Sequence, residues 1–285
     1  MSMLKLAIQK KGRLSDKSLA LLRDCGIRFS NGKGKLTDKS TNFPIEILYL
    51  RDDDIPRYVE NGTVHLGIVG ENEVLEQGRN LVVKRRLGFA KCRLSLAIRR
   101  EEEYTAPQDL QGKSIATSYP NILQNYLNEQ NIDAQIETIS GSVELAPQIG
   151  LADVVFDIVS TGSTLLMNGL KEVEKVCTSE ALLIANNELP DSLGSDIEEL
   201  LFRIQAIYQA QRSKYVLLNT PNSAIDAISS ILPGVKGPTI MPLGVEDWSS
   251  LHAVVPEDQV WDTIGKIKAL GAEGILVANI ENMVQ

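Results

Sequence analysis

Between Asp153 and Thr164 the chain runs through Val154, Val155, Phe156, Asp157, Ile158 and Val159, and then turns through Ser160, Thr161, Gly162, Ser163 and Thr164. Leu165 and Leu166 resume the apolar pattern. A short run this apolar predicts a strand buried on both faces, the habit of a parallel sheet in an α/β fold. The hydroxyl-rich turn then falls at a strand's carboxyl end, where ligands of open α/β sheets bind. Gly162 lets the backbone approach an anion, and Ser160, Thr161, Ser163 and Thr164 offer hydroxyls beside backbone N–H donors. An acidic residue at the strand end can accept from ribose hydroxyls while the turn holds a 5-phosphate, so the pattern suits a phosphoribosyl pyrophosphate ligand. Taken alone, an ordinary strand-to-helix turn reads the same way.

The rest of the chain repeats the alternation. Leu4 to Ile8 reads as a strand, and Gly12 and Arg13 turn it into a helix capped by Ser15 and ended by Gly26. Lys11 and Arg13 then sit beside backbone donors that already favour an anion. Ile45 to Leu50 and His65 to Val69 are further strands, and Asp52, Asp53 and Asp54 open a connecting helix, where two readings stand: favourable first-turn carboxylates or metal ligands. Near Cys92 a second unit begins, with strands at Arg93–Ile98, Lys113–Thr117, Ile132–Ile139 and Val154–Ile158 and a helix opening at Pro120. Leu182 to Ala185 returns the chain to the first unit. The expected organisation is one lobe over 1–92, completed by about 180–212, and a second lobe over 93–179. After the polar stretch Gln209–Ser213 the order becomes strand, helix, strand, strand, helix, strand, a ferredoxin-like module over 213–285.

Composition narrows the function classes. The 285 residues carry a net charge of −8, which argues against a general nucleic-acid binder. No segment is an uninterrupted apolar run of membrane-spanning length, and the chain starts as a strand rather than a secretory signal, so a cytoplasmic protein is expected. Cys25, Cys92 and Cys177 are widely spaced and predict neither a disulfide framework nor a zinc site. Gly112-Lys113-Ser114 resembles the end of a P-loop, but Pro107 stands where the leading glycine belongs. Gly32 and Gly34 lack the third glycine of a dinucleotide fingerprint, and His65 and His252 read as structural. Against the acidic balance, an anionic ligand needs local cations, and the clusters Lys10-Lys11-Arg13 and Lys84-Arg85-Arg86, with Lys91 and Arg93, can supply them together with a bound Mg²⁺.

Several blocks recur in a fixed order: Ala7 to Leu14, Arg51 to Pro56, Leu66 to Asn72, Cys92 to Ser95, Ile115 to Pro120, and Gly141 to Asp153 leading into the turn. Together they resemble ATP phosphoribosyltransferase, the first enzyme of histidine biosynthesis, across essentially the whole chain. The tail from Lys214, with Gly237-Pro238-Thr239 and Pro242, resembles the regulatory domain of that family's long form. The resemblance implies a two-lobed core like that of periplasmic binding proteins and a regulatory ferredoxin-like domain. It also implies transfer of a phosphoribosyl group to adenine N1 of ATP as pyrophosphate leaves, with Mg²⁺ bridging the pyrophosphate oxygens.

By the same resemblance, the phosphoribosyl pyrophosphate site comprises Asp157 and the Ser160, Thr161, Gly162, Ser163 and Thr164 turn, with Glu144 or Asp153 assisting the diol. Lys11 and Arg13 face the pyrophosphate or the ATP phosphates, and Lys10, Arg51, Glu71 and Arg93 fall on the ATP side, Glu71 either contacting adenine or capping a helix. No metal-binding protein group is assigned. Lys35 stands where the family often shows an arginine and cannot form its bidentate fork. A homo-oligomer, hexamer or dimer, and feedback by histidine are implied, the effector meeting Asn219 and Thr239 with Gly274 leaving room for it. For that module, a role in oligomerisation alone is the competing reading. A solute-binding protein and a transcriptional effector module are the rival classes, each short of its signature.

Overall fold

The structure, a computed structural model, describes residues 3–29, 36–232 and 237–284. Its contacts divide the chain into two compact units: residues up to Gly194 apart from Asp24–Gly26, and Ser195 onward together with Asp24–Gly26.

In the first unit, β1 (Leu4–Gln9), α1 (Arg13–Asp24), β2 (Thr37–Lys39), β3 (Ile45–Leu50), α2 (Ile55–Glu60), β4 (Leu66–Gly70), α3 (Glu71–Gln77) and β5 (Val82–Arg86) come first. There follow β6 (Cys92–Arg99), β7 (Ser114–Thr117), α4 (Pro120–Gln130), β8 (Gln135–Thr138), β9 (Val154–Val159), α5 (Ser163–Met167), β10 (Leu170–Ser179) and β11 (Ala181–Ala185). These strands form two sheets, ordered β2-β3-β1-β4-β11-β5 and β10-β6-β9-β7-β8. The chain crosses between them twice, through Leu87–Lys91 and through Glu180.

Strand β1 lies parallel to β3 and β4, and β7 lies parallel to β8 and β9, so each sheet gathers three carboxyl ends at one edge. The parallel expectation for β9 holds on one side only, because β6 pairs with it antiparallel. Its burial on both faces reports cover, not strand sense. Phe156 and Val154 pack under Leu123 and Leu127 of α4, while Val155 and Val159 pack with Val143, Ala146 and Leu165 on the other face. Strands β5 and β10 escape sequence reading because they are charged edge strands, the form that discourages further strand pairing.

The core of the first sheet joins Ala7, Val69 and Ile184 to Ile55 and Val59 of α2. That helix can approach because Gly67 has no side chain: a Cβ there would lie 2.6 Å from Ile55 Cγ2 and 3.0 Å from Val59 Cγ2. Alternating apolar positions in β1 and β4 and the Ile55/Val59 pair one helical turn apart supply the facing surfaces.

The second unit contains α6 (Gly194–Gln211), β12 (Ser213–Pro221), α7 (Ile225–Ile231), β13 (Thr239–Pro242), β14 (Trp248–Pro256), α8 (Val260–Ala269) and β15 (Glu273–Asn279). Its antiparallel sheet, ordered β13-β14-β12-β15, has the ferredoxin-like topology. Val216, Leu218, Leu251, Ala253 and Val255 form one face of a core completed by Ile228, Val260 and Ile267 from the two helices. Lys214 pairs with Asn279, so the first and last strands run side by side. Helix α6 groups with this unit, whereas the sequence reading counted residues to about 212 with the first lobe. The helix leads directly into β12, and its Ala206 carbonyl accepts from the Met283 N–H at 3.1 Å. No described helix is long and apolar enough to cross a membrane.

The close approach at Gly67 makes a test of the first core. Gly67→Ala should destabilise the chain by about 1–3 kcal/mol in denaturant titration, because Ile55 and Val59 must shift to admit the methyl group.

Candidate functional site

Three carboxyl ends of the first sheet place cations and acids along one edge. Beyond β1 come Lys10, Lys11 and the Gly12 turn, whose φ of 103° suits glycine, and then Arg13 at the first position of α1. Lys10, Lys11 and Arg13 are exposed. Ser15 lies buried inside α1 rather than capping it, since the helix starts two residues earlier. Beyond β3, Arg51 forks onto Asp53 at 3.2 and 3.1 Å, and Gln9 Nε2 donates to Asp52 at 3.1 Å, tying the ends of β1 and β3 together. Beyond β4, Glu71 opens α3 with its carboxylate held by Arg86, which also reaches Glu180 at 3.2 Å. Its N–H donates to the Glu180 carbonyl at 2.9 Å.

The second sheet presents the hydroxyl-rich turn. Gly162 has a φ of 80°, α5 starts at Ser163, and the Thr161 and Ser163 hydroxyls lie 2.9 Å apart. Ser160, Thr161, Ser163 and Thr164 are exposed at the end of β9. Asp157 sits two residues before that end, half-buried, and burial raises its carboxyl to about 6, with the charge of Glu144 adding to the effect. Glu144 is carried toward it by a single tight turn over Val143–Leu145. These residues form one cluster.

Asp153 does not join them. It lies at the amino end of β9, a strand length of about 20 Å from the turn, where it accepts from the Ser114 N–H at 3.0 Å and the Ser114 hydroxyl at 2.9 Å. These bonds hold its carboxyl below the usual range and make it a tie between β7 and β9. Arg93 is likewise engaged: it grips Glu172 of β10 through both nitrogens of its fork, each at 2.5 Å, and donates to the Ser160 carbonyl at 3.1 Å. Lys35, Gly32 and Gly34 fall outside the described residues.

Where the two sheets meet, side chains that sequence reading did not single out close the base of the cleft. Asn72 Nδ2 donates to Glu73 at 3.0 Å and to the Tyr119 hydroxyl at 3.3 Å, while its N–H donates to Ser179 Oγ at 3.0 Å. Gly70 makes that posture possible, since a Cβ there would lie 2.3 Å from Asn72 Oδ1. Glu76 of α3 accepts from the Asn121 and Ile122 N–H groups at 2.9 and 3.0 Å, capping the first turn of α4 from the opposite lobe. Burial, then the charge of Asp52, pushes Glu73 up to about 7. The Tyr119 phenol is raised by burial and then by Glu73, Asp157 and Asp52, which places it among carboxyls from both lobes. Tyr119 stands in a block that the resemblance includes; Glu73 reads in sequence as an ordinary helix-face charge, and nothing there signals its burial.

Neither histidine belongs to this cluster. His65 Nδ1 accepts from the Lys5 N–H at 3.0 Å, and His252 meets the Tyr215 hydroxyl at 2.5 Å in the other unit. A polar hollow at the far edge of the first sheet is also structural: Asn186 there donates to the Val59 and Glu60 carbonyls at 2.8 Å each and closes the end of α2. In the ferredoxin-like unit, a Cβ on Gly274 would lie 3.3 Å from Asn219 Nδ2, so those two positions adjoin. Thr239 lies across the intervening β14 and two residues out of register, roughly 12 Å from Asn219 at ordinary sheet spacings.

Comparison with known proteins matches residues 51–206 to the family described as ATP phosphoribosyltransferase and residues 210–282 to the family described as HisG, C-terminal domain. The chain is similar to ATP phosphoribosyltransferase of Cytophaga hutchinsonii, 53% identical over 284 residues that cover 100% of this chain and 99% of the relative. The corresponding protein of Parabacteroides distasonis is 54% identical over 99% of this chain and 100% of its own length. Among solved structures, the ATP phosphoribosyl transferase (HisG:HisZ) complex from Thermotoga maritima matches with a TM-score of 0.60 at 29% identity, covering 71% of this chain and 99% of that one. A substrate binding protein of an amino acid ABC transporter matches with a TM-score of 0.50 at 11% identity over 73% of this chain and 94% of that one, a likeness of fold alone.

The raised carboxyls give a pH dependence of definite sign. Glu73 and Asp157 keep their protons to higher pH folded than unfolded, so the folded state is favoured in acid and loses that advantage as pH rises through about 4 to 7. The unfolding free energy should therefore fall between about pH 4 and about pH 7 and level off above that. Glu73→Gln should flatten that slope and recover on the order of 1–3 kcal/mol at the upper end, read by denaturant titration.

Proposed function

The chain belongs to the ATP phosphoribosyltransferase family of histidine biosynthesis, and we propose that it joins ATP to 5-phosphoribosyl 1-pyrophosphate, adenine N1 attacking C1 of the sugar while pyrophosphate leaves. The observation that carries this reading is the meeting of the two sheets' carboxyl ends. One lobe contributes an exposed row of cations, and the other contributes a paired Asp157 and Glu144 beside a turn of hydroxyls.

In this reading the 5-phosphate takes the Thr161–Thr164 turn, where hydroxyls and backbone N–H groups can donate. Asp157 accepts from the ribose diol, its raised pKa still leaving it mainly ionised near neutrality, and Glu144 shares that role. Lys10, Lys11, Arg13 and Arg51 line the opposite edge for the phosphates of ATP and the departing pyrophosphate. Alignment and stabilisation of charge on the leaving group supply the rate, and no protein base is required at C1. Glu71, already gripped by Arg86, holds the start of α3 rather than adenine.

Among the described residues, no three or more His, Cys, Asp or Glu side chains are grouped to hold a metal ion. In this reading Mg²⁺ would be held chiefly by the pyrophosphate oxygens of the substrate and would help neutralise the leaving group's charge. The module after α6 is read as the seat of histidine feedback, with Asn219 and Gly274 at one effector position. Thr239, on the same sheet face beyond β14, is read as the second contact to that effector. A homo-oligomer fits the sheet face opposite α7 and α8, which bears exposed Tyr215, Met241 and Leu276.

Release of pyrophosphate on mixing ATP, 5-phosphoribosyl 1-pyrophosphate and Mg²⁺ tests the reaction directly; no release with a folded chain removes it. Asp157→Asn should then lower kcat/KM for the phosphoribosyl substrate roughly ten- to a hundredfold, the loss of a charge-assisted hydrogen bond worth on the order of 1.5–3 kcal/mol, and leave ATP binding nearly unchanged. Asn219→Ala should raise the histidine concentration for half-inhibition by about tenfold or more, and linkage requires saturating substrates to change histidine affinity in the parent chain. Unaltered inhibition by histidine in the variant would move the effector elsewhere.

A further inference from the structure

The side chains that aim the hydroxyl turn lie on β6 and β10, away from the turn in sequence. Arg93 stands opposite Val159 in the β6–β9 register and Ser95 stands opposite Asp157, so Arg93 and Ser95 share a face with the ligand-side acid. From β10, the other neighbour of β6, Glu172 reaches that face and receives the whole Arg93 fork, while Ser95 Oγ donates to the same carboxylate at 2.8 Å. The third nitrogen of Arg93, Nη1, donates to the carbonyl of Ser160, the first residue of the turn, at 3.1 Å. At the other end Arg100, the residue after β6, donates to the Leu166 carbonyl in α5 at 3.4 Å. Between those two anchors Leu165 is buried against Val155 and Val159 on this same face. The turn and its short helix are thus held at both ends by one arginine of β6 and one just past it.

A lysine could satisfy one partner, but only a planar guanidinium held square by a carboxylate presents its remaining N–H in a fixed direction. We propose that Glu172 is a positioning residue for phosphoribosyl binding: it orients the Arg93 fork, and the fork fixes the Ser160 carbonyl and with it the donors of the Thr161–Thr164 turn. The inference rests on the reading of that turn as the phosphoribosyl site. It reassigns Arg93 from the ATP side, where sequence reasoning had placed it, to the opposite substrate.

The alternative is a staple that merely holds β10 to β6. The two roles separate in measurement. Glu172→Gln, Arg93→Lys and the double variant would each be prepared as the full chain and examined by calorimetry with 5-phosphoribosyl 1-pyrophosphate and with ATP, by thermal unfolding, and by amide hydrogen exchange over 160–167. Since the misaimed turn would lose charge-assisted hydrogen bonds to the phosphate, Glu172→Gln should weaken phosphoribosyl pyrophosphate binding roughly ten- to a hundredfold with ATP affinity changed less than about threefold. Exchange in the turn should quicken, and the double variant should be little worse than the worse single one. A lowered unfolding temperature with phosphoribosyl pyrophosphate affinity intact, or equal losses for both substrates, overturns the proposal in favour of the staple. Loss confined to ATP overturns it in favour of direct contact. If the parent chain fails to bind phosphoribosyl pyrophosphate while exchange in the turn still quickens in the variants, the ligand reading fails and the mechanical linkage stands.

Discussion

The two lobes of the first unit depend on a pair of chain crossings bound to each other. The Leu87 N–H donates to the Ala181 carbonyl at 2.8 Å, the Ala181 N–H returns the bond to the Phe89 carbonyl at 2.9 Å, and the Glu71 N–H takes the Glu180 carbonyl. Ser179, one residue before that crossing, receives the Asn72 N–H and gives its proton to Asn72 Oδ1 at 2.9 Å. The start of α3 is therefore part of the joint, and so are Asn72, Glu73 and Tyr119, which close the cleft at its base. Two crossings restrict relative lobe motion to bending about one line, the geometry of hinge closure around a ligand.

That arrangement carries an electrostatic tension. Asp52, Glu73 and Asp157 crowd one phenol where the ligands of the proposed reaction are themselves anions. The structure relieves it by burial: two of the three acids rise to about 6 and about 7, so part of their charge is absent near neutrality. Cations gather instead at the exposed ends of β1 and β3, where solvation is cheap. Arg86 and Arg93, which composition alone counts among the available positive charge, are spent on Glu71 and Glu172 and contribute to position rather than to net attraction.

Much of this was legible beforehand, and the failures share a cause. The turn after β9, the alternation of strand and helix, and the ferredoxin-like order of the last module are local patterns, and local patterns survive in a single sequence. Of the strands absent from the sequence reading, β2 is only three residues long, and β5 and β10 carry Lys84-Arg85-Arg86 and Lys171-Glu172, charged residues that a hydrophobic period cannot mark. The resemblance groups Asp153 with the ligand, yet an extended strand carries its two ends far apart. Glu73 and Glu172 acquire their roles only when remote segments pack on them, which no spacing along the chain encodes. The adjacency of Asn219 and Gly274 is of the same kind, set by the pairing of β12 with β15.

The side-by-side β12 and β15 of the last unit have a consequence for ancestry and for engineering. Because Lys214 and Asn279 are ladder partners, the chain enters and leaves this module at adjacent points, with a core that its own strands and helices supply. A part so built can be gained at the end of one gene, lost from another, or spliced into a surface loop of an unrelated host without stretching either backbone.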